Sequence, residues 1–96
     1  MRHLDVGEIA KADLRSVRRY SLRIWGPERT SAYMAALRDT MKGLAPDTVI
    51  SRERDDLRPG LRMATSGRRC IFFEASDTRI IVVRVLHDRM DYQRHL

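Results

Sequence analysis

The chain has 96 residues, of which 43% are apolar, and a formal charge of +6 from 19 basic against 13 acidic side chains, with a single cysteine. Such a length makes one domain that withdraws about 60–65% of its unfolded surface from water, so the core is modest and a partner is expected to add to its stability. Cys70 alone excludes an intramolecular disulfide and argues against a structural zinc; no run approaches the ~18–20 apolar residues of a membrane span, and "MRHLDVGEIAK" is not a signal peptide, so a cytoplasmic chain without a membrane partner is expected.

Only Lys11 and Lys42 among the basic residues are lysines. Arginine suits bidentate contacts with carboxylate or phosphate, so this bias favours an acidic protein or a nucleic acid as partner. In chain order, Leu4 and Val6 alternate within Met1 to Val6, which predicts a short edge strand, and Gly7 follows as a helix cap. From Glu8 to about Ile24 the residues Ala10, Leu14, Val17, Ser21 and Ile24 keep helical spacing, while Arg15, Arg18, Arg19 and Arg23 fill the other side. Gly26 and Pro27 end that helix and begin a second, whose apolar stripe is Thr30, Met34, Leu37, Met41 and Leu44, widened by Tyr33; Pro46 stops it.

The connection "PDTVISRERDDLRPG" is too long for a simple turn, so it is either functional or held by its own contacts. Period-2 alternation then returns in Leu61, Met63 and Thr65, in "RCIFFEA" and in "RIIVVRVL", with turns at "SG" and "SDT". In the last strand Ile81, Val83 and Val85 are expected to face the helices, with Ile80, Val82, Arg84 and Leu86 on the other face. The predicted fold is α+β: one domain spanning residues 1–96, two layers in β-α-α-β-β-β order, an antiparallel sheet with a helical hairpin on one face. The second, partly apolar face reads as a docking surface.

Motifs for catalysis are scarce. "SGRRC" lacks the second glycine and the lysine of a phosphate loop, and neither an H-E-x-x-H nor a cysteine pair offers a metal site. Asp55 and Asp56 lie between arginines and read as a solvated ion-pair cluster. Nothing brings Ser66, His87 and an aspartate together as a triad. No catalytic residue, metal or cofactor is therefore assigned.

The pieces "ADL" (12–14), "WG" (25–26), Tyr33, "DDLRPGLR" (55–62), "SG" (66–67), "IFFE" (71–74) and "VVRVLHDRMD" with a closing "RHL" resemble, in this order and spacing, the ParE toxins of the RelE/ParE superfamily. Gly7, where a serine or threonine cap is usual, and the stretch around Val49 and Ile50, which lacks a common glycine, depart from that pattern. The resemblance implies the same fold and the toxin half of a type II toxin–antitoxin module, neutralised by a ParD-type antitoxin. It also implies growth arrest through inhibition of DNA gyrase, with no enzymatic activity and no sequence-specific DNA binding by the toxin alone. RelE-branch relatives are instead ribosome-dependent mRNA endoribonucleases, and that is the competing reading.

RNA cleavage needs a base, cations at the phosphorane and an acid. Arg58, Arg62 and Arg84 could supply cations and His87 and Tyr92 the acid and base, but both lysines fall on the helices. Candidate antitoxin contacts are Arg15, Arg19, Tyr20, Trp25, Tyr33, Leu37, Arg62, Ile80, Val82 and Leu86. Candidates for toxicity and target binding are Arg58, Arg84, His87, Arg89 and Arg94. For the tail after His87 two readings stand side by side. Met90 and Leu96 dock on the core while His87 holds the turn by a backbone hydrogen bond, or the turn presents Arg89 and "RHL" to a target. On the second reading, removing Asp91 to Leu96 leaves the fold and antitoxin binding largely intact and lowers toxicity.

Overall fold

In the computed structural model, which describes residues 2–96, the alternating and helical runs form β1 (His3–Val6), α1 (Glu8–Trp25), α2 (Pro27–Lys42), β2 (Arg52–Glu53), β3 (Leu61–Ser66), β4 (Arg69–Ala75), β5 (Arg79–His87) and a one-turn helix α3 (Tyr92–His95). The strands form one sheet in the order β1-β5-β4-β3-β2. The sheet is mixed rather than antiparallel, because β1 lies parallel to β5, with His3 opposite Arg79 and Val6 opposite Val82. Met1, included in the expected first strand, lies outside the described residues.

The helices follow their sequence periodicity. Ala10, Val17 and Ser21 of α1 and Thr30, Met34, Leu37 and Met41 of α2 are buried, and Leu14 and Tyr33 pack beside them. Ile24, expected on the buried stripe, is 56% exposed, since burial along α1 ends at Ser21. Gly7 caps α1 without a side chain: its N–H donates to the Val82 carbonyl at 2.8 Å, and a Cβ there would meet the same oxygen at 3.2 Å. This close approach accounts for the missing serine or threonine. Gly26, at φ 82°, ends α1 and opens α2 in a conformation that side chains disfavour. The Ser21 and Thr30 hydroxyls are buried and lack a hydrogen-bond partner among the described residues.

A bulge in β5 changes the expected faces. Phe72 pairs with Arg84 and Phe73 with Val82, leaving Val83 as an extra residue. Strict alternation therefore describes only one end of the strand. Ile80 and Val82 join Val85 under the helices, together with Ile71, Phe73 and Ala64. Val83 and Leu86 belong to the opposite face, where they meet Leu61, Met63, Cys70 and Phe72. Ile80, Val82 and Leu86 are all buried and offer no open surface.

That second face is not free. Leu57 from the long connection and Tyr92 and Leu96 from the tail pack on it, so the molecule has an apolar cluster on each side of the sheet. The connection is tied down by its own contacts: β2 pairs with β3, Asp55 accepts from the Gly60 N–H at 2.9 Å, and Arg54 grips Asp56 through two bonds of 3.0 and 2.9 Å. The tail is equally engaged. The Tyr92 ring meets Phe72 edge-on at 5.0 Å, Arg54 lies 5.6 Å over it, and Arg84 donates to the His95 carbonyl at 2.6 Å. Its docked position makes the tail part of the fold, contrary to the expectation that Asp91 to Leu96 are dispensable for it.

Candidate functional site

A groove of about 700 Å³ lies between α1, the start of α2, the β3–β4 turn and the end of β5. Its aromatic wall comes from the helical hairpin. The glycine break at Gly26 lets Trp25 and Tyr33 meet edge-on at 5.9 Å, and Tyr20 stands one turn back on α1. Tyr20 is 48% and Trp25 41% exposed. Large rings left this open on a small chain are uncommon without a partner. Arg29 lies 5.0 Å over the indole, a cation–π contact. From the turn, Arg69 donates through Nε to the Tyr33 hydroxyl at 3.1 Å, and Arg68 stands beside it. Gly67, at φ 57°, passes so close to Tyr33 that a Cβ would touch its ring at 3.7 Å.

At the floor of the groove, Asp13 of α1 accepts from Arg84 Nε at 2.8 Å, Arg84 Nη2 at 2.9 Å and the Val85 N–H at 2.9 Å. The last of these satisfies a donor on β5 just beyond the end of β1. The two side chains are 15% and 20% exposed, and the carboxylate holds the guanidinium pKa of Arg84 above its ordinary value. Arg84 is thus a clamp between α1, β5 and the tail, and is not displayed. His87 lines the groove, and its Nδ1 accepts from the Arg89 N–H at 3.1 Å, so it does fix the turn by a backbone hydrogen bond. The Tyr92 hydroxyl donates to the Asp88 carbonyl at 3.1 Å and lies 3.2 Å from Cys70 Sγ. The thiol contact, with burial, pushes its pKa up to about 12.

The structure brings together Tyr20, Trp25, Tyr33 and His87 of the residues singled out from sequence. Arg15 and Arg19 lie exposed on the outer side of α1 without an ion-pair partner among the described residues; Leu37 is core. Arg62 of β3 bonds Ser51 and Glu53, and Arg58, in the connection between β2 and β3, approaches Glu74. Arg89 is exposed, and Arg94 stands 3.7 Å from Asp91. The proposed target-binding residues therefore do not converge on one spot. Asp13, Ser16, Arg29, Arg68 and Arg69 also line the groove and were given no site role from sequence; Met90, expected to dock on the core, lines it too and is 42% exposed. Asp13 carried a signal, as the only acid of α1 beyond its first turn.

A family model described as "ParE toxin of type II toxin-antitoxin system, parDE" matches residues 6–92. The chain belongs to the ParE toxin family. It is 33% identical over 87 residues to Toxin ParE1 of Caulobacter vibrioides, covering 91% of this chain and 90% of that protein. Among solved structures it resembles the chromosomal ParDE toxin–antitoxin system of P. aeruginosa, at TM-score 0.75 and 22% identity over 91% of this chain and 96% of that one. The toxin fold is shared more widely: the E. coli DinJ-YafQ complex matches at TM-score 0.68 and 13% identity, over 91% and 93% of the two chains.

Proposed function

We propose that this ParE-family toxin is neutralised by a ParD-type antitoxin that seats in the α1–α2 groove, and that it arrests growth by inhibiting DNA gyrase without hydrolytic chemistry of its own. The observation that carries the reading is the open aromatic groove with its arginine rim. An apolar concavity with clustered Trp and Tyr suits the anchor residues of an amphipathic helix, Arg29 and Arg68 on its rim suit the acids flanking them, and Arg15 and Arg19 on the outer side of α1 suit acids further along the antitoxin. The other face of the sheet, where strand residues could gather around a phosphodiester, is filled by Leu61, Phe72 and Leu86 beneath Tyr92 and Leu96. The C. vibrioides relative and the P. aeruginosa ParDE structure support the antitoxin pairing by family likeness.

The test uses purified toxin on gyrase supercoiling and DNA cleavage, and in parallel on ribosome-bound mRNA. Supercoiling is expected to be inhibited and the mRNA to stay intact. Cleavage of mRNA by the parent protein but not by His87→Ala would replace this reading with the RelE-like nuclease.

A further inference from the structure

We propose that the groove of the antitoxin-free toxin also holds a short single strand of DNA, its bases stacked on Tyr20 and Trp25 and its phosphates held by Arg29 and Arg68. The lining is selective in the sign of its free groups. Asp13, the one carboxylate in the lining, already accepts three hydrogen bonds from Arg84 and Val85. The other polar groups of the lining carry no negative charge, among them the guanidinium of Arg29, that of Arg68, and the hydroxyls of Tyr20 and of Ser16, the latter accepting from Arg19 at 3.4 Å. Asp88 stands outside the lining and reaches Arg68 only at 3.5 Å, with that arginine 62% exposed, so the pair opens readily to a stronger anion.

Alternation of π-faces and cations is the recognition chemistry of single-stranded nucleic acid, in which each base offers a ring and each linkage one negative charge. Arg29 stacked on Trp25 already pairs the two groups. A duplex keeps its bases inside and could use only the charges. An amphipathic helix would meet the same tyrosine and tryptophan with apolar anchors and does not require their flat faces as stacking platforms. The surplus of +6 over the whole chain adds a long-range attraction for the phosphates. This inference goes beyond the antitoxin and gyrase reading and requires neither partner. If both hold, antitoxin and DNA exclude one another.

The experiment is fluorescence anisotropy of a labelled dT 12-mer titrated with the toxin alone, with the emission of Trp25, the single tryptophan, as a second readout. Binding should quench Trp25. Trp25→Ala or Tyr20→Ala should weaken it by about tenfold. Arg29→Ala and Arg68→Ala should each reduce the steepness of log affinity against log salt by about 0.7. Circular dichroism melts confirm that each variant is folded, and Arg68, on an exposed turn, keeps the test open if a helix variant is not. No binding at low salt, equal binding to a 12-bp duplex, or binding indifferent to Trp25 and Arg68 would overturn the proposal. So would a preference for rU of equal length, or displacement of the 12-mer by polyglutamate as effective as by unlabelled dT.

Discussion

Replacing Tyr92 with alanine is the sharpest test of the docked tail. A tyrosine buries roughly 150–250 Å² when fully enclosed; Tyr92 is only partly buried and alanine keeps a share of the contact, so counting half of that area at 25 cal/mol per Å² gives a cost of about 2–3 kcal/mol. The edge-on contact with Phe72 at 5.0 Å adds about 1 kcal/mol, and the rotamer freedom regained by a missing side chain returns a similar amount. The net loss is about 2–3 kcal/mol, from a domain whose total stability is on the order of 5–14 kcal/mol. In a chain of this size that lowers Tm by roughly 10–20 °C. Tyr92→Phe keeps the ring and loses only the hydroxyl contacts with Cys70 and Asp88, so its Tm should fall by no more than roughly 4–8 °C. The assay is thermal and urea unfolding followed by circular dichroism, with the Asp91–Leu96 truncation beside the two substitutions. A Tyr92→Ala protein melting within ~3 °C of the parent would show that the tail does not contribute to the fold in solution.

Asp13→Asn should cost about 2–3 kcal/mol, because it leaves Arg84 half-sequestered and uncompensated; a double-mutant cycle with Arg84→Met should recover much of that loss, and strict additivity would refute the clamp. Ser21→Ala removes a buried hydroxyl that has no partner among the described residues, so urea unfolding should find it neutral or about 1 kcal/mol more stable, and marked destabilisation would show that the hydroxyl is hydrogen-bonded in solution. Stability should also fall in alkali: below pH 10.0 folded and unfolded chains both keep a neutral Tyr92 phenol, whereas between 10.0 and about 12 the unfolded chain ionises first. Melts in that window should show a loss that Tyr92→Phe reduces.

The helical hairpin and three long strands were legible because each buries one face of a regular period. The parts that were not legible have separate causes. Val83 breaks the alternation of β5 by insertion, and a sequence of apolar residues on both faces gives no sign of which one is extra. The sequence does not show that β1 runs parallel to β5, since a four-residue strand pairs across the whole chain. Tyr92 and Leu96 looked like part of a charged tail because the sheet face they cover is apolar only in three dimensions. In the site, Tyr20, Trp25 and Tyr33 were named as candidate antitoxin contacts from sequence, without a sign of their exposure, and the groove needed the β3–β4 turn to come beside α1. Arg68 and Arg69 acquire their place from that packing alone.

The central position of β5 also sets an order of assembly. During synthesis β1, α1, α2, β3 and β4 all emerge before Arg79–His87, yet among the described residues β1 has no sheet neighbour other than β5. The nascent chain can form the helical hairpin and the β3–β4 ribbon early, because those contacts are local. His3–Val6 must wait, with the apolar faces of α1 and α2 only partly covered. The emergence of β5 then closes the sheet, supplies Arg84 to Asp13 and delivers Tyr92 to the opposite face in one late step. A nascent toxin halted before that strand should be unable to complete either apolar cluster, and it should be recognised by proteases and chaperones as unfinished.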